Sequence, residues 1–145
     1  MDAIRDILKI KGAIVHTIAA SATVLEAAHF MNQHGIGSVV VARDGRVEGI
    51  FTERDVLRRV VEDQRRPAEI PLSEVMIRNV ICCSPDTTVE EARRIIKDRR
   101  IRHLPVCGEN GSLMGLVSIG DLNAYHLSSQ EATINHLHEF IYGAA

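Results

Sequence analysis

The sequence predicts an α/β (α+β) fold in which two β-α-β-β-α units stand in tandem between an N-terminal and a C-terminal helix, and three observations predict it. The chain repeats itself: Thr23-Val24-Leu25-Glu26-Ala27 returns 65 residues later as Thr88-Val89-Glu90-Glu91-Ala92, and a repeat sets the architecture before any local reading does. Further along the offset becomes 66, and Gly49-Ile50-Phe51-Thr52-Glu53-Arg54-Asp55 is answered by Gly115-Leu116-Val117-Ser118-Ile119-Gly120-Asp121. The slip falls where Arg43-Asp44-Gly45 is matched by the longer Gly108-Glu109-Asn110-Gly111, as expected of a surface turn that tolerates insertion. Within each copy, short apolar runs alternate with helix-start signals, which is the third observation.

Each element has a local cause. Residues 3–11 place Ile4, Ile7 and Leu8 on one helical face, and Gly12 can end that helix. Residues 15–18 read as a short strand. Thr23-x-x-Glu26 has capping-box spacing and opens a helix to about residue 33, with Gly35 as its stop. Residues 38–42 are apolar without alternation, as in a strand covered on both faces. Asp44-Gly45 is a hairpin signal, followed by a strand over 47–51 and a helix over roughly 53–62. Residues 65–71, polar and punctuated by Pro67 and Pro71, form a linker. The second copy repeats the order with strand 80–83, helix 89–99, strands 104–107 and 113–117, and helix 119–127. A last helix, about 130–142, aligns Ile134, Leu137, Phe140 and Ile141 on one face before Gly143. The units are thus 8–64 and 72–128, with 129–145 as a C-terminal amphipathic helix, together one module. Both amphipathic end segments need a surface to cover, on this chain or on a second copy.

Composition narrows the function. A chain of 145 residues buries a real core, whereas one repeat of about 55 residues would be marginal alone. Lys+Arg 17 against Asp+Glu 19 leaves a net charge of -2, so no global field points to nucleic acid or membrane. Aromatic content of 3 % without Trp removes the stacking platforms of single-strand binders. No apolar run is long enough for a membrane span and no signal-peptide core is present. The 3 cysteines, Cys82, Cys83 and Cys107, lack C-x-x-C spacing and suit a reducing, cytoplasmic setting.

The motif that carries chemistry is a strand followed by Ser/Thr-x-x-Asp and a helix, as Thr52/Asp55 and again as Ser118/Asp121. One reading is pure helix capping. The other uses the same geometry for a ligand: free amides suit a phosphate, the hydroxyl adds a donor, and the aspartate oxygens suit the 2′- and 3′-hydroxyls of a ribose. Recurrence in both copies keeps the two readings level. Gly49 and Gly115 leave room for close approach.

These residues resemble a cystathionine-β-synthase (CBS) domain pair, the Bateman module. The match runs through Thr23-Val24-x-Glu26-Ala27, Ile36-Gly37-Ser38-Val39-Val40-Val41 and Gly49 to Asp55, then Arg102-His103-Leu104-Pro105-Val106 and Gly115 to Leu122, covering about residues 8–128. The resemblance implies two repeats about a pseudo-two-fold axis and a non-catalytic sensor of adenosine-containing nucleotides held in two clefts. AMP is the foremost ligand, with ADP, ATP or NAD as alternatives. Carried over by resemblance, Asp55 and Asp121 hold ribose and Thr52 and Ser118 are hydroxyl donors. Thr17, Ile18, Ile81 and Cys82 lie beside the base, and Gly37, Ser38, Arg102, His103, Leu104 and Pro105 complete the nucleotide contacts. It also implies a homodimer, a disc of four repeats with two-fold symmetry, and leaves the regulated partner protein open.

The copies differ where Arg102-His103 stands opposite Gly37-Ser38. Arg102 can fork onto a phosphate, or both side chains are solvated strand-entry residues. Gly37 leaves room for a larger ligand such as a dinucleotide. Taking the ordinary His pKa near 6.5, the contribution of His103 should fade between about pH 5.5 and 7.5. His16, His29, His34 and His126 have no Cys or carboxylate at ligand spacing, and His136 and His138 diverge on a helix, so no metal site is expected. Arg93-Arg94 and Arg99-Arg100 read as solvated helix surface, and Cys82-Cys83 as a strand pair. An enzyme is disfavoured, since no nucleophile–base pair or Walker loop is present. The rival is an interaction scaffold with vestigial clefts.

Overall fold

Apolar β-branched runs that cannot face water organise both halves of the chain. A computed structural model describes residues 2–142. In the first half, β1 (Thr17–Ile18) lies parallel to β2 (Ser38–Arg43), which pairs antiparallel with β3 (Arg46–Thr52), in the order β1-β2-β3. β2 is central, and Val39, Val40 and Val41 are buried, as the unbroken apolar run required. The hairpin turns at Asp44 and Gly45, with φ of 52° and 77°; two successive left-handed residues make the tight turn whose twist matches the strands.

The helices begin and end on their predicted signals. Between β1 and β2, α2 (Val24–His34) is capped by Thr23, whose Oγ1 accepts from the Glu26 amide at 3.2 Å, and it stops at left-handed Gly35. After β3, α3 (Glu53–Val56) widens into a π turn over Leu57–Val61. In the second half α5 (Val89–Arg99) carries the full Thr88/Glu91 capping box, and β4 (His103–Cys107) pairs antiparallel with β5 (Leu113–Ser118).

The structure differs from the sequence reading in three places. The strand expected over 80–83 shrinks to one parallel bridge, Cys83 with Val106, closed by Cys83 N–H to Pro105 O at 2.9 Å and Cys107 N–H to Cys83 O at 2.8 Å. The next rung would need an amide hydrogen on Pro105, which proline lacks; Val40, the equivalent residue of β2, has one, and there β1 forms. The helices expected over 119–127 and 130–142 are one helix, α6 (Ile119–Tyr142), because Ser128-Ser129 contains no breaker. In α6 Ile134 is exposed, while the side chains of Leu137, Phe140 and Ile141, and Gly143, lie outside the described residues. The linker is structured too: a 3-10 turn, Pro67–Glu69, leads to buried Ile70 and to α4 (Leu72–Val75).

Each half has its own core, and each core is completed from outside the repeat. Ile70, Leu72, Val75 and Met76 pack with Val24, Met31, Val41 and Phe51. The N-terminal helix α1 (Ile4–Lys11) crosses to the second half, where Ile4 and Ile7 pack with Ala92, Leu104 and Leu122. The two arms dock alike: Ile70 O accepts from the Val24 amide at 2.9 Å, and Asp2 O from the Val89 amide at 3.0 Å. The halves are joined by two mutual Ile50–Ile77 backbone bonds of 3.0 and 2.9 Å, and by the Leu113 amide on Gly45 O. No helix among the described residues is long and apolar enough to cross a membrane.

Ile4→Ala and Ile70→Ala, both in segments outside the repeated motifs, should each lower the unfolding free energy by about 2–5 kcal/mol, the usual cost of emptying a buried isoleucine site. Urea denaturation measures this; wild-type midpoints would show that the arms are appended and not structural.

Candidate functional site

The β3–α3 junction builds the centre of the site. Thr52 keeps extended backbone angles as α3 starts, its Oγ1 accepts from the Asp55 amide at 3.3 Å, and Asp55 Oδ2 accepts from the Thr52 amide at 2.9 Å and its hydroxyl at 3.1 Å. Capping is therefore real here, and Asp55 is only 6 % exposed. All three bonds leave Asp55 Oδ1 without a hydrogen-bond partner among the described residues. A cap that spends one carboxylate oxygen keeps the other for a ligand.

Around this junction lies a cleft of about 270 Å³ between the two halves. The first half supplies Gly37, Ile50, Thr52 and Asp55, and the second supplies Ile77, Ile81, Arg102 and His103. Arg102 and His103 thus line one cleft with the aspartate of the opposite repeat, a relation that the linear order leaves open. The Ile119 amide on Arg102 O at 2.9 Å and the Glu53 amide on Gly37 O at 3.0 Å confirm that Arg102 and Gly37 are equivalent positions. A Cβ at Gly37 would lie 2.8 Å from Oε1 of the exposed Glu53 side chain.

The cleft is more basic than its motifs suggested. Arg54, Arg58, Arg100 and Arg102 line it against the carboxylates of Glu53 and Asp55, a local excess of positive charge on a chain of net charge -2. Arg54, Arg58 and Arg100 escaped the sequence reading, and Arg100 was assigned to plain helix surface. Its signal was present: Arg100 holds φ 53° as the left-handed cap of α5, where α2 has Gly35 at 63°. Gln64 holds φ 55° in the same way just after the π turn of the first half, so the conformation at Arg100 ends its helix and sets where its side chain enters the cleft. Arg58 sits one turn beyond Asp55, so the helix that presents the carboxylate also presents a guanidinium.

His103 departs from its expected titration. Burial, and then the Lys11 ammonium, hold its pKa below the ordinary 6.5, with Asp121 pulling the other way. It is therefore largely neutral at pH 7, and the window of about pH 5.5 to 7.5 moves to lower pH. Arg102 carries the fixed charge.

The second copy of the motif has a different environment. Asp121 Oδ2 accepts from the Ser118 amide at 2.8 Å, and Ser118 Oγ accepts from the Asp121 amide at 3.1 Å. The same Oδ2 also takes the Lys11 ammonium at 2.5 Å. Burial pushes the Asp121 carboxyl up, but Lys11 and the Ser118 amide outweigh it and hold the pKa below 3.8. Asp121 opens on a groove between α1 and α6 with Ile7, Ile10 and Tyr125.

The other sequence candidates are dispersed. Thr17 lines a separate groove with Val15, Asp44 and Leu113, and Ile18 packs on the first core. Ser38 is buried in β2, and Leu104 and Pro105 are buried in β4. Cys82 is exposed. The Cys83 and Cys107 thiols are pushed up to about 12, chiefly by burial, which leaves them protonated and unreactive. Among the described residues no three His, Cys, Asp or Glu converge as metal ligands.

Comparison with known proteins identifies the family and the fold. The CBS-domain family model matches residues 4–62 and 72–127. The CBS domain-containing protein YhcV of Bacillus subtilis is 34% identical over 118 residues, 81% of this chain and 83% of that protein. Three further relatives are longer, and the chain spans 56% to 65% of their length. The crystal structure of a CBS-domain containing protein from Agrobacterium tumefaciens superposes with a TM-score of 0.80 at 38% identity, covering 86% of this chain and 98% of that one. A CBS domain protein from Pyrobaculum aerophilum, complexed with AMP, shares the fold at a TM-score of 0.74 and 24% identity, covering 82% and 88%.

His103 should titrate below pH 6.5 by NMR of its ring. Because its pKa is depressed in the fold, its contribution to stability is complete above pH 6.5 and is lost as pH falls through the folded value. Wild type should accordingly lose stability relative to His103→Gln between pH 7 and pH 5; parallel curves would show that His103 is as solvated as in the unfolded chain.

Proposed function

This chain belongs to the CBS-domain family, and we propose that it is a non-catalytic regulatory module binding one adenosine-containing nucleotide, AMP foremost, in the cleft at Asp55. The observation that carries this reading is the meeting, in one cleft between the halves, of a buried aspartate with an uncommitted oxygen and four arginines. Asp55 Oδ1 suits ribose hydroxyls, which donate to it. Ile50, Ile77 and Ile81 offer an apolar wall for a base. Arg102 and its neighbours suit a phosphate, where a planar guanidinium makes two parallel bonds.

Size favours a mononucleotide. The cleft of about 270 Å³ lies just below the range of ligand pockets, about 300 to 1,000 Å³, which suits a mononucleotide better than a dinucleotide. The AMP complex of the Pyrobaculum aerophilum protein is a precedent for the ligand at the level of the fold. The regulated partner is a protein to be identified.

Calorimetry should show AMP binding more tightly than adenosine. Asp55→Asn, which keeps an acceptor for the Thr52 amide but removes the charge, should cost about 1.5–3 kcal/mol, or about 10- to 150-fold in affinity. Asp55→Ala should lose binding and also stability, because the residue caps α3. Arg102→Ala should weaken AMP but leave adenosine unchanged. Stability loss without any change in affinity would reduce Asp55 to a cap.

We further propose a homodimer. Ile10 and Leu127 are 78% and 58% exposed on the two helices that flank the α1–α6 groove, and exposed apolar side chains clustered on neighbouring elements mark interfaces. Light scattering should give twice the 16.0 kDa chain mass; a monomer at micromolar concentration would contradict it.

A further inference from the structure

The two arms that complete the cores are the same device in two lengths. Ala3 bridges Thr88 as Pro71 bridges Thr23. Ile4 and Leu72 are both fully buried. Leu8 presses on Gly115 and Met76 on Gly49, each within 3 Å of where a Cβ would stand. These pairs lie 68 residues apart, whereas Val15 and Val80 beyond them lie 65 apart. The N-terminal arm therefore carries three additional residues, Lys9-Ile10-Lys11, just before Gly12. They extend α1 to 8 residues where α4 has 4, and three residues add most of one helical turn.

That extra turn changes the second site. After Met76 the chain leaves the helix, and the Ile77 amide bonds Ile50 O at 2.9 Å. At the equivalent carbonyl, Leu116 O, the Lys11 ammonium bonds at 2.7 Å, and it also takes Asp121 Oδ2 at 2.5 Å. Lys11 thus spends two of its three donors on the residues that correspond to Ile50 and Asp55 of the open cleft.

We propose that Lys11 is a built-in plug which keeps nucleotide out of the Asp121 site, so that each chain takes a single nucleotide, at Asp55; this rests on the nucleotide reading of the Asp55 cleft. Both aspartates keep Oδ1 without a hydrogen-bond partner among the described residues, so the difference is the cation: the Lys11 ammonium neutralises the Asp121 carboxylate and stands between it and Leu116 O, where a ribose would have to enter. At Asp55 no cation has to leave. The sequence motif is the same at both sites, and the arm length decides which one is open.

The test is calorimetric stoichiometry with AMP on four full-length chains. Wild type should bind one AMP per chain and Asp55→Ala none. Lys11→Met, which keeps the length of the side chain and removes its charge, should bind two. Asp55→Ala combined with Lys11→Met should recover one. Two AMP per wild-type chain, or one per chain in Lys11→Met, would overturn the plug while leaving nucleotide binding intact. No AMP bound by either wild type or Lys11→Met would overturn the nucleotide reading and the plug together.

Discussion

The packing of each half depends on closing a small apolar sheet that its own repeat cannot cover. In the first half a three-stranded sheet and its own helices share their core with Ile70, Leu72, Val75 and Met76 from the linker, and a unit of that size alone buries too little surface to hold itself together. An arm from elsewhere in the chain supplies the missing side chains: α4 from the linker for the first half, α1 from the N-terminus for the second. The constraint is hydrophobic and non-directional, but the arms are placed by directional bonds, one carbonyl of each arm receiving the first amide of α2 or α5.

The cleft follows from that assembly. The linker that carries α4 continues as Ile77 along Ile50, so the segment from 77 to 81 is held beside the β3–α3 junction and walls the cleft. The other wall comes from the start of β4, where the left-handed cap at Arg100 and the turn into β4 bring Arg102 and His103 into the cleft that Asp55 lines. The cleft is made between the two repeats, not within either. In both, the aspartate caps a helix, and its surroundings differ: Asp55 shares a cleft with guanidinium groups that make no ion pair with it, while Asp121 is paired with Lys11.

Much of the fold was legible because its signals are local. Capping boxes, the Asp44-Gly45 turn and the unbroken valine run of β2 place α2, α5, the first hairpin and its strands within a residue or two. The strand over 80–83 failed because its pairing depends on a missing amide on a distant proline. The linker failed because Ile70, held between Glu69 and Pro71, belongs to too short an apolar segment to show a periodicity that would mark it as core.

By itself the sequence determined that the chain is a tandem repeat of the CBS type, that each copy carries a Ser/Thr-x-x-Asp junction after a strand, and that the copies differ at Arg102-His103. Those are properties of neighbours along the chain, and hydrogen bonds of short range enforce them. Only the tertiary structure decided that Arg102 and His103 line one cleft with the aspartate of the other repeat, that Arg54, Arg58 and Arg100 line it too, and that Lys11 lies on Asp121. Each of these is a meeting of side chains from separate elements, fixed by which arm packs on which core, and burial and charge act through distances in space that residue order does not contain.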